Sequence, residues 1–385
     1  MNYQKIFFVV AICCWSNILT AQDVKKTLSA AEKQVGVLYN ETIAVRKERK
    51  IFPRALDKDT IKMVPSGDWT SGFWPGILWF MFESTGKQEW RTKAEELTAL
   101  MEREPKNRGS HDVGFKVYNS YGNGYRLTSN EEYKKQVIQG AATLVTRFNP
   151  TVGCIRSWDF GKWQYPVIID NMMNLELLFA ATRLSGDSSY YKVAVSHANN
   201  TLKNHFRADF STYHVIDYDT ITGKVIGGST LQGYSDNSAW ARGQAWALYG
   251  FTMCYRETKD IAYLQRAENI ASFLMNHPRL PADKIPYWDF DAPGDNEPRD
   301  ASAAAIMASA LYELQGYSLN KKIYRSFADK IMQSLVKHYR AEPGTHKGFL
   351  LLHSTGHKPV NGEVDTPIIY ADYYFLEALL RKRNK

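Results

Sequence analysis

Ala301-Ser-Ala-Ala-Ala-Ile-Met-Ala-Ser-Ala-Leu-Tyr-Glu-Leu314, preceded by Asp300, is small or apolar almost all the way round a helix. A surface helix buries one stripe, whereas a helix of this kind needs cover on several sides. Ala239–Gly250 reads the same way. Glu131–Phe148 and Ser188–Phe206 are polar and amphipathic instead. The two characters alternate along the chain, which predicts an inner ring of helices wrapped by an outer one. Periodicity places twelve helices at about 24–48, 74–84, 88–103, 113–126, 131–147, 171–184, 188–206, 238–256, 259–277, 300–315, 320–339 and 367–383.

A weak repeat supports the same plan. An Asp stands at or just before each inner-type helix: Asp68, Asp112, Asp170, Asp236, Asp300 and Asp365, at spacings of 44, 58, 66, 64 and 65 residues. A helical hairpin with its loops needs about that length, and a fixed period marks repeated supersecondary units. Six such hairpins would close as an all-α, double α6/α6 barrel. Each Asp is equally a candidate N-cap, satisfying free amides at a helix start. In either case the inner helices begin on a common rim. Short extended segments at 154–160, 213–218, 285–290 and 348–353 are expected over that rim.

The 385 residues are 44% hydrophobic and 23% charged, a globular composition that excludes a disordered or collagen-like chain. Aromatic residues make up 13%. They fit a large core, and they fit carbohydrate handling, because sugar C–H faces stack on aromatic rings. The formal charge of +8 suits an acidic partner. No dense basic run, zinc-finger spacing or RNA-recognition signature points to nucleic acid, so an anionic saccharide is the better fit.

Residues 1–21 read as a secretory signal, with Lys5 ahead of the apolar run Ile6–Trp15 and Ala21 at the cleavage position. No later stretch has membrane length. The expected mature chain, 22–385, is one exported, periplasmic domain with no membrane insertion and no obligate protein partner. It keeps Cys154 and Cys254, whose separation suggests two unpaired buried thiols.

No P-loop, G-x-S-x-G elbow or H-E-x-x-H motif is present. The nine His are scattered, so a dedicated metal site has no support in the sequence. Carboxylates among aromatics remain. Asp112 lies in His111-Asp-Val-Gly-Phe115, and Asp170 in Ile168-Ile-Asp-Asn-Met-Met-Asn174. Each opens an apolar helix. Burial there would raise a carboxyl pKa and favour general-acid work, while the helix start would oppose it. Gln232-Gly-Tyr-Ser-Asp-Asn-Ser-Ala-Trp-Ala-Arg-Gly-Gln-Ala-Trp246 is denser. If helical from Asp236, it puts Ser238, Arg242 and Trp246 on one face. Arg242 could fork onto a substrate carboxylate or pair with a structural Asp; Trp246 could stack on a sugar or fill the core. Ser354-Thr-Gly-His-Lys358 is a polar loop that could bring Lys358 to a sulfate, or simply face solvent.

These motifs, together with Asp68-Trp-Thr-Ser-Gly-Phe-Trp-Pro-Gly76 and Asp365-Thr-Pro-Ile-Ile-Tyr-Ala-Asp-Tyr-Tyr-Phe375, resemble the unsaturated glucuronyl hydrolases of glycoside hydrolase family 88. The resemblance runs in order from about residue 30 to the C-terminus. It implies the α6/α6 barrel, no cofactor, and an unsaturated oligosaccharide substrate left by a polysaccharide lyase on a glycosaminoglycan of chondroitin, hyaluronan or heparin type. It also implies hydration of the C4=C5 double bond of the terminal uronic acid. By motif, Asp170 resembles the general acid/base and Asp112 the second essential Asp. Gln232 and Arg242 look like contacts around the uronate and water, His214 like a substrate-binding His, and Trp246 and Trp69 like stacking groups. Ser354 and Lys358 would then meet the leaving sugar. An unsaturated rhamnogalacturonyl hydrolase, a sugar epimerase on a related barrel and a non-catalytic glycan-binding protein are the alternatives.

Overall fold

The computed structural model describes residues 20–384. The expected signal segment therefore lies outside the described residues except for Thr20 and Ala21. Six helices form the inner ring: α2 (Phe73–Thr85), α4, α6 (Asn171–Ser185), α8 (Ala241–Thr258), α10 (Ala301–Leu314) and α12 (Ile369–Arg383). Helix α4 begins as a π-helix, Gly114–Gly122, and continues as the α-helical Asn123–Thr128. Each inner helix contacts the next, and α12 returns to α2, so the ring closes. Outside it stand α1 (Ala21–Val45), α3 (Gln88–Ala99), α5 (Glu131–Val145), α7 (Ser188–Asn204), α9 (Ile261–Asn276) and α11 (Lys321–Ser334). The double barrel is the one expected, and its helices follow the expected ranges within a few residues at most ends.

The alternation of character is the cause. Every residue of α10 is buried, as are Ala241 to Cys254 of α8. Outer α11 buries one stripe, through Tyr324, Ala328, Asp329, Ile331 and Met332. Inner helices are drawn close by missing side chains. A Cβ on Gly114 would lie 2.6 Å from the Asn174 Cα, and one on Gly72 would lie 2.3 Å from the Phe115 carbonyl oxygen. These contacts set α4 tightly between α2 and α6. Among the described residues, no helix is long and apolar enough to cross a membrane.

The rim carries more strand than expected. A hairpin, β1 (Phe52–Asp57) with β2 (Thr60–Val64), and a pair of two-residue strands, β3 (Phe148–Asn149) with β4 (Cys154–Ile155), are antiparallel. A three-stranded sheet orders β5 (Pro166–Ile168), β6 (Val215–Tyr218) and β7 (Val225–Ser229). Around 285–290 and 348–353 only isolated bridges form. Cys154 and Cys254 are free and buried, as expected.

Capping divides the two rings. Asn130, Asp187 and Asp260 accept amide hydrogens as side-chain caps of outer helices α5, α7 and α9. Of the six rim aspartates, only Asp300 is such a cap, accepting from Ser302 N and Ala303 N. Asp170 occupies the N-cap position of α6 without a side-chain capping bond. Helix α8 starts at Ala241, later than expected, because Asp289 and Asp291 bind the amides of Tyr234 and Ala239 and hold the approach as a turn. Ser238 therefore lies off the helix, donating to Asp289, and does not share a face with Arg242 and Trp246.

A buried ion pair braces the start of α4. Lys116 Nζ lies 2.6 Å from Glu104, whose other contacts are Ser66 and Asn107. Removing one partner strands a buried charge, at a cost of about 3–5 kcal/mol. Lys116→Met is expected to lose that much stability in urea unfolding, and Glu104→Gln added to it to restore most of the loss.

Candidate active site

A cavity of about 180 Å³ opens at the rim where the inner helices begin. Asp112 and Asp170 both line it, with Trp69, Gln232, Arg242 and Gly356. Strand pairing sets Asp170: β5 runs beside β6, the Ile169 amide donates to the His214 carbonyl 3.0 Å away, and the chain then turns into α6. One helical turn on, Asn174 reaches across to α4. Its Nδ2 donates to Asp112 Oδ1 at 3.3 Å, and its Oδ1 accepts from the Phe115 amide at 3.1 Å. One helix thus carries one carboxylate and orients the other.

Asp170 has a side chain 13% exposed, and its Oδ2 has no hydrogen-bond partner. Burial pushes its pKa up to about 7; the Arg242 charge opposes this and the Asp112 charge adds to it. The contest between desolvation and helix start is won by desolvation. His214 lies behind it, with Nε2 3.8 Å from Asp170 Oδ2. The amides of Leu231 and Gln232 donate to His214 Nδ1 at 3.1 and 3.2 Å. That lone pair is therefore occupied and the ring proton sits on Nε2, facing Asp170. Burial, and then the nearby Arg242 charge, hold the His214 pKa well below its usual value, so the ring is neutral.

Arg242 is fully buried and does both things its sequence context allowed. It pairs with Asp300 at 2.8 Å and donates to the carbonyls of Thr355 and Gly356. It also lines the cavity. Gln232 donates to the Gly356 carbonyl at 3.0 Å. Trp69 packs on Tyr370 at 5.0 Å and forms part of the wall.

Four expected residues stand apart from the cavity: His214, expected to bind substrate, has a fully buried side chain behind Asp170 and does not line it, and three others lie further off. Trp246 is 1% exposed and packs between Phe115 and Tyr374, so it belongs to the core beneath the wall. Ser354 is buried and exchanges backbone hydrogen bonds with Thr366, while its neighbours Thr355 and Gly356 meet Arg242. Lys358 begins a short 3-10 turn, Lys358–Val360, just after His357, which does line the cavity. The helical spacing that put Trp246 with Arg242 is right; both point inward, but Trp246 lies one turn deeper.

The cavity also recruits residues the motifs did not single out. His111 lies 3.3 Å from Asp112. Trp158 stands edge-on to His214 at 5.6 Å. Arg54 enters from β1, held by Glu363 at 2.6 Å and Asp68 at 2.9 Å. His111 precedes Asp112 in its motif and Trp158 lies in the extended segment 154–160, but neither position carries a local signal of a role. Arg54 carries no local signal, because a long hairpin brings it in.

A poised carboxylic acid, a second carboxylate, a buried arginine and aromatic walls suit acid/base chemistry on an anionic sugar. The fold and site together define a glycan-processing enzyme. The family model for Glycosyl Hydrolase Family 88 matches residues 44–380. An unsaturated glucuronyl hydrolase of Formosa agariphila is 50% identical over 370 residues, 94% of this chain and 91% of that one. An unsaturated chondroitin disaccharide hydrolase of Streptococcus pneumoniae is 33% identical, over 86% of each chain. The crystal structure of an unsaturated glucuronyl hydrolase specific for heparin superposes with a TM-score of 0.89 at 47% identity, covering 93% of this chain and 96% of that one. The chain belongs to glycosyl hydrolase family 88 and is an enzyme.

The raised Asp170 pKa has a stability consequence. The unfolded chain ionises this group at about 3.8 and the folded one only at about 7, so the stability it contributes is full below 3.8, falls as pH rises to about 7 and is gone above that. Asp170→Asn escapes that loss. It is expected to melt above wild type at pH 8, with the advantage shrinking as the pH is lowered. Asp112→Asn, which removes a like charge, should end that loss at a lower pH and make it smaller.

Proposed function

We infer that this enzyme is an unsaturated glucuronyl hydrolase that hydrates the C4=C5 double bond of a non-reducing-end uronic acid. The observation that carries the reading is Asp170, an acid buried at the cavity wall beside a buried arginine, whose pKa of about 7 keeps about half of it protonated at neutral pH. Asp170 donates its proton to C4, and positive charge develops at C5 and the ring oxygen. Water adds at C5, returning a proton to the Asp170 carboxylate. The resulting hemiketal opens and expels the neighbouring sugar. A general acid and base so placed contributes about 10²- to 10⁴-fold.

The other groups follow from their positions. Arg242 attracts the uronate carboxylate into the cavity, its charge held in place by Asp300 and two carbonyls. Asp112, anchored by Asn174, positions the ring and adds to the burial that raises the Asp170 pKa. His214 presents its Nε2–H to Asp170 and steadies the carboxylate once the proton has left. Gln232 orients the water, and Trp69 with Trp158 supplies apolar faces for the sugar. Trp246 supports the wall through Phe115 and touches no substrate.

Glycosaminoglycan saccharides are the substrates, and the likeness to a heparin-specific structure supports heparin-type products first. Lys358 does not line the cavity, but its neighbour His357 does, which supports a role for Lys358 toward a sulfate on the leaving sugar. The signal-like residues 1–21 support export to the periplasm.

The double bond is conjugated to the carboxylate, so turnover abolishes its ultraviolet absorbance. Wild type is expected to bleach heparin-type disaccharides faster than chondroitin, hyaluronan or pectin ones. Asp170→Asn should lose at least about 10²-fold in kcat. No bleaching with any of the four would overturn the reading. Because the acid must be protonated, kcat/KM is expected to fall about tenfold per pH unit above about 7. A profile still rising at pH 9 would remove Asp170 from the acid role.

A further inference from the structure

We propose that Phe160, with Trp158 and Trp163, forms an aromatic platform that carries the sugars beyond the first leaving unit. The enzyme then favours unsaturated oligosaccharides of more than two sugars over disaccharides. The inference rests on the hydrolase reading above. Phe160 is 60% exposed. One face lies on Trp158, with ring centroids 5.3 Å apart and planes 21° from parallel. Trp163 meets Trp158 from another side, also at 5.3 Å, with planes at 49°. Trp158 itself lines the cavity, so the three rings run from the cavity wall to open solvent.

The platform is built rigidly. Arg147 holds Asp159 through two bonds of 2.9 Å. The Trp163 indole donates to Ser229 Oγ on β7 at 2.9 Å. Between them Gly161 has φ +89°, and a Cβ there would fall 2.6 Å from the Trp163 ring. Only glycine allows the turn that folds Trp163 back beside Trp158. The ring of Phe160 is thus held out in water by anchors on both sides. A fixed, exposed apolar surface continuous with a binding cavity marks a recognition surface.

Its occupant follows from size and chemistry. A cavity of about 180 Å³ has room for little more than one sugar ring. The units after the cleaved bond must therefore leave through the mouth, past Trp158. The apolar C–H face of a pyranose fits a free aromatic face. Lys162, exposed in the same turn, and the half-buried Arg156 add positive charge for an anionic chain, while Asp159 is neutralised by Arg147.

The test compares kcat/KM for an unsaturated tetrasaccharide and disaccharide of the same polymer, with wild type, Phe160→Ala and Phe160→Trp. Wild type is expected to prefer the tetrasaccharide. Phe160→Ala should lose about three- to tenfold more on the tetrasaccharide than on the disaccharide, through KM, and Phe160→Trp should restore the preference. Equal effects on both lengths, or no effect, would overturn the platform and leave the hydrolase reading standing. Wild type that turns over neither saccharide would take down both. Sedimentation that shows a wild-type dimer and a Phe160→Ala monomer would assign the ring to a contact between copies instead.

Discussion

The buried pair of Arg242 and Asp300 is the constraint on which the site depends. Asp300 caps α10 and takes the Arg242 guanidinium, which in turn holds the carbonyls of Thr355 and Gly356. Two inner helices and the loop leading to a third are joined at one point. A buried charge is tolerable only when paired and hydrogen-bonded. Here that requirement is met on one side of the guanidinium while it still lines the cavity. The same cation moderates the pKa of Asp170 and helps keep His214 neutral. A structural pair and a recognition group are one residue.

The two rings of helices use their aspartates differently. Outer helices spend Asx side chains on caps, as at Asn130, Asp187 and Asp260. On the inner rim, Asp68 binds Arg54, Asp112 is turned toward Asn174, and Asp170 keeps an oxygen free. An inner helix already buried on all sides gains its stability from packing, so its first turn can forgo a side-chain cap. That releases carboxylates at the rim for chemistry.

Neighbouring aromatic rings do two jobs in the same way. Phe115 lines the cavity on one face and packs on Trp246 with the other. Trp158 carries the wall outward. The core and the binding surface are therefore continuous, and the rigidity of the first passes to the second.

Much of this was legible in the chain itself. The alternation of all-round apolar and amphipathic runs determined a double ring of helices, because burial on one side or several is a property of local periodicity. The motifs around Asp112, Asp170 and Arg242 determined which carboxylates and which cation share the rim. Tertiary structure decided what periodicity cannot express. It placed Trp246 in the core although it sits one turn from Arg242, since depth along an inner helix depends on neighbouring helices. It delayed α8 to Ala241 because Asp289 and Asp291, some fifty residues on, bind the intervening amides. It brought Arg54 in on a hairpin and gave Asp170 its raised pKa, for desolvation depends on the residues that fold over a side chain and not on those beside it in sequence.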